Sequence, residues 1–211
     1  QNEYLFKLLK DFGADINQKD EYGNNAIHNL MEYATKNKTF SKKSFITIFK
    51  RLVSLGIDVN SKDKKGATVI HKAILGESDQ ILKTLLESKQ ADTKAVDNKG
   101  RSLIHNCVWK DNVKYFKMVH AYDQEILNKA DRFGVLPINY AAFMGYNDIV
   151  TKMIEEGSYI NNTNHKNQVI VDYLKKFSKN LDSLIKKSDT QLNKKNIGLL
   201  IENMKKEFDV V

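Results

Sequence analysis

One cysteine, one proline and one tryptophan in 211 residues leave several classes of protein out of consideration. With Cys107 alone there is no intrachain disulfide, so folding does not draw on an oxidising compartment. A single proline, Pro137, is too few for an all-β chain full of tight turns and points to a mostly helical one. No apolar run reaches the roughly 20 residues that cross a bilayer as a helix. A dominant charge is also missing: 34 Lys and Arg face 26 Asp and Glu, a formal net charge of +8. Such a surface permits an acidic partner without requiring one. No phosphate-cradling glycine loop, H-E-x-x-H or G-x-S-x-G occurs, so nothing argues for catalysis. There is no signal peptide. The sequence starts at Gln1 rather than methionine, so removal of a leader, or of more protein upstream, stands as an expectation. What is present is apolar material for a core, 41% of the residues.

That material is periodic. Asp63-Lys-Lys-Gly66-Ala-Thr-Val-Ile-His71, Asp97-Asn-Lys-Gly100-Arg-Ser-Leu-Ile-His105 and Asp131-Arg-Phe-Gly134-Val-Leu-Pro-Ile-Asn139 align without gaps, their glycines 34 residues apart. Asp20-Glu-Tyr-Gly23-Asn-Asn-Ala-Ile-His28 is an earlier copy, separated from the next by 43 residues. Asn164-His-Lys-Asn167-Gln-Val-Ile-Val-Asp172 is a later one with asparagine in place of glycine. A second phrase recurs as Gly13-Ala-Asp-Ile-Asn17, Gly56-Ile-Asp-Val-Asn60 and Gly157-Ser-Tyr-Ile-Asn161. Each position has a physical reason. Glycine permits the positive φ of a hairpin tip. The following Thr or Ser caps a short helix, and in the fourth copy Pro137 sits at its first turn, where a missing N–H does little harm. Between signatures, Ile48/Phe49/Leu52/Val53, Ile81/Leu82/Leu85/Leu86, Tyr115/Phe116/Val119 and Ile149/Val150/Met153/Ile154 form the buried stripe of a second helix. The glycine after it supplies a left-handed end.

This pattern resembles the ankyrin repeat family, G-x-T-P-L-H-x-A-A-x-x-G…I-V-x-x-L-L-x-x-G-A-x-V-N. Residues 131–161 match it most closely, and the resemblance covers roughly residues 4–176. It implies an all-α solenoid of helix-turn-helix repeats with short β-hairpin tips on one edge and a concave groove. The expected organisation is a partial repeat at 1–19 and full repeats at about 20–62, 63–96, 97–130 and 131–163, so that repeats occupy 1–172. A degenerate last repeat and a two-helix cap fill 164–211. That final stretch has apolar stripes at Leu174, Phe177, Leu181, Leu184 and Ile185 and again at Ile197, Leu200, Ile201, Met204 and Phe208, one face per helix as a terminal cap requires. The extra length of the first full repeat falls at Thr35–Ser44, a polar, Lys-rich loop between its helices.

Histidines 28, 71 and 105 recur at one signature position, which the resemblance assigns to hydrogen bonding between neighbouring hairpins. With Gly23, Gly66, Gly100 and Gly134 they are structural, and no metal or cofactor is expected. His120 and Tyr122 near Cys107 read as an ordinary helix face. Aspartates 20, 63, 97 and 131 start hairpins and satisfy local amides, which is turn chemistry rather than acid–base chemistry. In this family the tips and the ends of the first helices face partners. Mapped here they are Trp109, Phe133, Phe143, Met144 and Leu75, with Lys65, Lys99, Arg101 and Arg132 as a cationic rim; Tyr22 and Tyr33 hold such places in the first repeat. Aromatics with Arg and Met match the centre of an interface.

The expected function is non-enzymatic binding of a partner protein or peptide, acidic with hydrophobic anchors, by a monomer in the cytoplasm. A periplasmic or secreted location follows instead if a leader was removed. Three other readings stay open: a targeting domain of a larger enzyme or secreted effector, a binder of nucleic acid or acidic lipid, and an accessory protein handling a cofactor. Nucleic acid is the weaker ligand, because the basic C-terminal stretch lacks the interleaved aromatics of single-strand binders.

Overall fold

The computed structural model describes residues 11–37 and 39–159, apart from the side chains of Lys42 and Phe143. The helix expected before residue 11 and the degenerate repeat and capping helices over 164–211 lie outside the described residues. The chain divides into two compact units, Gln1–Asn98 and Lys99–Val211.

The first unit holds α1 (Ala26–Lys36), α2 (Lys42–Ser54), α3 (Val69–Leu75) and α4 (Asp79–Glu87). Helix α1 packs on α2 and α3, and α4 packs on α2 and α3, so two helix pairs stack side by side. The second unit holds α5 (Leu103–Trp109), α6 (Val113–Tyr122), α7 (Pro137–Met144) and α8 (Asn147–Glu155). There α5 packs on α6 and α7, and α8 on α6 and α7. Each unit is thus a stack of helix-turn-helix repeats. Among the described residues the tips form no strand; they are turns, each joined to the next tip by one backbone bond.

The local code explains the short inner helices. Asn25, Thr68 and Ser102 are N-caps, and in each case the histidine three residues on returns a bond to the cap's own backbone N–H. Such a reciprocal box satisfies two of the free amides at a helix start and contributes about 1 kcal/mol. Leu136 takes the cap position of α7, with Pro137 immediately inside. Buried stripes then join the pairs. Ile81, Leu82, Leu85 and Leu86 of α4 are nearly sealed, as are Tyr115, Phe116 and Val119 of α6 and Ile149, Val150, Met153 and Ile154 of α8. Each such side chain contributes roughly 1.5–3 kcal/mol by leaving water.

Helix α2 departs from the expected stripe. Its buried residues are Phe45, Phe49 and Leu52, while Ile48 and Val53 are half-buried. The helix is 13 residues long, and its extra first turn brings Phe45 onto the core, stacked on Phe49 at 6.0 Å. A seam at i, i+4 and i+7 replaces the broader one. The insertion also differs from a ten-residue loop. Helix α1 continues through Lys36 and α2 begins at Lys42, so only residues 37–41 connect them. Most of the added sequence lengthens helices, because helical propagation satisfies a backbone bond for each residue it orders.

The left-handed turn ends are only partly the glycines expected. Gly56 and Gly157 follow their helices with φ of 87° and 92°. After α4 a lysine, Lys89, takes the position at φ 55°, and after α6 Asp123 is extended. Between the helices of a pair, Gly145 is left-handed, and Glu77 and Asp111 occupy the corresponding places at φ 54° and 47°. Gly76, one residue before Glu77, is not left-handed (φ −85°).

Candidate functional site

The tips are built alike. Asp20 Oδ1 accepts from the amides of Tyr22 and Asn24, both at 2.9 Å. Asp63 Oδ1 accepts from Lys65 and Ala67 at 2.9 Å, and Asp131 Oδ1 from Phe133 and Val135 at 2.8 and 3.0 Å. These carboxylates hold their own turns. Burial alone would raise the Asp63 carboxyl, but the Ala67 amide and the Lys72 ammonium outweigh it and hold the group below its ordinary range. Tips are linked by backbone bonds of 3.0 Å: Lys64 N–H to Tyr22 O, Asn98 N–H to Lys65 O, and Arg132 N–H to Lys99 O. The approach is close enough that a Cβ on Gly23 would lie 2.8 Å from Lys64 N, and one on Gly100 2.6 Å from Arg132 N. Glycine is therefore required there twice over, by its positive φ (79° and 76°) and by the neighbouring strand of turn. Gly66 and Gly134 share that φ sign at 77° and 75°.

The histidines occupy the core beneath the tips. His28 Nε2 lies 3.2 Å from Ala67 O, and His105 Nε2 lies 3.1 Å from Val135 O. His71 Nδ1 accepts from the Thr68 amide at 3.3 Å and meets its hydroxyl at 2.9 Å. His105 also presents an edge to the Tyr140 ring at 5.7 Å. In the fourth copy, where Asn139 replaces histidine, the Tyr140 hydroxyl donates to Asp131 Oδ2 at 2.8 Å. Burial lowers the His28 pKa; the Ala67 carbonyl works the other way, and Lys72 adds to the lowering. Among the described residues no three His, Cys, Asp or Glu side chains are grouped to hold a metal. Burial pushes the Cys107 thiol far above its ordinary pKa, which removes its nucleophilic form at neutral pH. His120 is buried, stacked on Phe116 at 5.5 Å, with Nδ1 3.6 Å from Glu156, whereas Tyr122 is exposed.

Of the residues expected to contact partners, Trp109 is 54% exposed, Phe133 47% and Leu75 40%. Met144 and Arg101 are half-buried, and Lys65, Lys99 and Arg132 are exposed. The Phe143 side chain lies outside the described residues. Trp109 and Met144 end α5 and α7, two helices that pack together, so both stand at corresponding ends. The Arg132 guanidinium lies 4.7 Å over the Phe133 ring, a cation–π contact that pre-sets both side chains at the tip. Lys65 and Leu75 belong to the first unit.

The first unit carries a cleft between Tyr22 and Tyr33, both expected at partner-facing places, with part of its wall in the stretch that sequence reading took for a polar loop. Tyr22 and Tyr33, 64% and 54% exposed, line an open cleft of about 1000 Å³. The end of α1 and the connection after it form its wall. Asn37 Nδ2 donates to the Tyr33 hydroxyl at 2.9 Å, and the Phe40 ring meets Tyr33 edge-on at 5.1 Å. Phe40, seven residues after Tyr33, was the one available signal, an aromatic in an otherwise polar run. No helix among the described residues is long and apolar enough to cross a membrane.

Compared with known proteins, residues 31–129 match the family of ankyrin repeats in 3 copies. Residues 31–129 carry ankyrin repeats. No curated protein matches it in sequence. Among solved structures it is similar to a chain in the predatory endopeptidase Bd0816 from Bdellovibrio bacteriovorus in complex with immunity protein Bd3460. The TM-score is 0.66 at 21% identity, over 88% of this chain and 92% of that one. At that identity the likeness is one of fold.

Proposed function

We propose that this ankyrin-repeat chain is a non-catalytic recognition module that binds a partner protein or peptide through exposed side chains at its tips and inner-helix ends. The observation that carries the reading is the exposure of Trp109 and Phe133, at 54% and 47%, on positions the repeat itself does not need to be apolar. Large aromatics left in water at a rigid scaffold's edge are the residue type that dominates interface energy. Met144, at the end of α7, completes this centre. Arg101, Arg132 and Lys99 supply a cationic rim, with Lys65 the corresponding tip residue of the first unit, so the partner bears hydrophobic anchors flanked by Asp or Glu. That the similar fold occurs in an endopeptidase–immunity protein complex supports a protein as the ligand class. The protein acts as a monomer.

The test compares variants for the same partner. Crosslinking and mass spectrometry on wild type name a candidate, and calorimetry then measures it against Trp109→Ala, Phe133→Ala and Arg132→Ala. Trp109→Ala weakens binding by about 2 kcal/mol or more, and Arg132→Ala acts mildly, mostly at low salt. If all of these bind as wild type does while convex-face changes abolish binding, the assignment is wrong.

A further inference from the structure

The cleft of the first unit has a charge pattern that favours one ligand chemistry. Three carboxylates line it, and each is already engaged. Asp20 accepts two turn amides and the Asn29 side chain at 3.3 Å. Asp63 accepts two turn amides and pairs with Lys72 at 3.2 Å, while Glu32 is paired with Lys36. Lys72 is held further by Asn24 Oδ1 at 2.7 Å. The Lys64 and Lys65 ammonium groups are exposed on the adjoining tip, and among the described residues neither pairs with a carboxylate. What the cleft offers a ligand is therefore two cations beside two tyrosine rings.

The wall that carries Tyr33 exists because of the insertion. Helix α1 has 11 residues, against 7, 7 and 8 for the inner helices α3, α5 and α7. Its added turn reaches over Gly76 at the end of α3, where a Cβ would lie 2.5 Å from Thr35 Cγ2. Asn37 and Phe40 then brace Tyr33 from outside, as described above. A braced, exposed aromatic loses little freedom on binding, which is how rigid interface anchors work.

We infer that this insertion-walled cleft is a second recognition site, taking a short acidic segment of a partner polypeptide with an apolar side chain between Tyr22 and Tyr33 and carboxylates on Lys64 and Lys65. A polyanion is disfavoured: its phosphates follow at fixed spacing, and the three cleft carboxylates would face some of them. A peptide places one or two carboxylates locally and apolar atoms elsewhere. A cleft of this volume is at the upper end of ordinary ligand pockets. The inference rests on the recognition reading but on a different unit, so the two fail separately.

The test selects a displayed library of random 12-residue peptides on the full chain, synthesises the enriched sequences, and measures them by fluorescence polarisation. The expected result is an enriched class with Asp or Glu next to Leu or an aromatic residue. Its binding falls by about tenfold or more in Lys64→Glu/Lys65→Glu, falls in Tyr33→Ala, and is unchanged in Trp109→Ala. The lysine variant changes only exposed side chains, so it keeps the inference falsifiable should Tyr33→Ala disturb α1. Absence of an acidic class, or equal binding to the lysine variant, overturns it. Loss in Trp109→Ala without loss in the lysine variant overturns it while leaving the general recognition reading intact. A labelled single-stranded 20-mer oligonucleotide that binds in place of any peptide and is lost in the lysine variant also overturns it, as the wrong ligand class.

Discussion

The two units share one scaffold and differ in what they expose. In both, an aspartate holds the tip, a buried histidine ties the inner helix to its cap, and backbone bonds of 3.0 Å join successive tips. Yet the first unit lengthens α1 and α2 and surrounds a cleft with Tyr22, Tyr33 and lysines. The second keeps its inner helices α5 and α7 to 7 and 8 residues and exposes Trp109 and Phe133. The lesson is that positions used for stacking tolerate little change, whereas the tips and helix ends are free to diverge.

The sharpest way to break that comparison is to remove what the units have in common. His105→Ala in the second unit, or His71→Ala in the first, lowers stability by about 1–3 kcal/mol in urea unfolding, because a cap bond is lost and buried groups are stranded. Metal content stays at background by elemental analysis; stoichiometric zinc that disappears in His105→Ala would falsify the structural role. His28 adds a pH dependence. Its pKa lies below the ordinary value when folded, so it binds its proton more readily unfolded. Its contribution is present above about pH 6.5 and is lost as the pH falls below that. Denaturation midpoints measured from pH 7.5 to 5 decline on that account, and His28→Gln flattens the decline.

The next test is confined to the feature the units do not share. Phe40→Ala removes the edge contact with Tyr33 and destabilises by about 1 kcal/mol. Hydrogen exchange quickens at the end of α1 while the amides of α5–α8 are unaffected. Uniform quickening across both units would show that the insertion is part of the common scaffold.

The smallest effect concerns the left-handed residues. Asp111→Gly relieves backbone strain at φ 47° and stabilises by about 0.5 kcal/mol after the extra unfolded-state entropy of glycine is counted. Glu77→Gly gains less. Burial, and then the charge of Asp148, raise the Asp111 pKa, so that site carries an electrostatic burden as well. Midpoint shifts in urea decide the order, and equal shifts would mean that backbone strain alone operates.

Much of this was legible from residue order. The glycine intervals, the histidine three residues after each cap and the apolar stripes carried the ankyrin assignment, since each reflects a short-range rule. Tyr33 and Phe40 were not legible as a pair. Polar composition made residues 35–44 read as a loop, and only packing shows helix α1 running through Lys36. Nor was the left-handed residue after α3 legible: it is Glu77, one position beyond Gly76.

The sequence by itself determined the repeat, its register and the tip chemistry, since caps, turns and helical stripes depend on neighbours within a few residues. Tertiary structure alone decided which of the free positions remain in water, how the insertion is shared between α1 and α2, and which carboxylates are already engaged. Those outcomes depend on contacts between residues far apart in the chain, such as Lys72 with Asp63 and Asn24. No local rule carries that information.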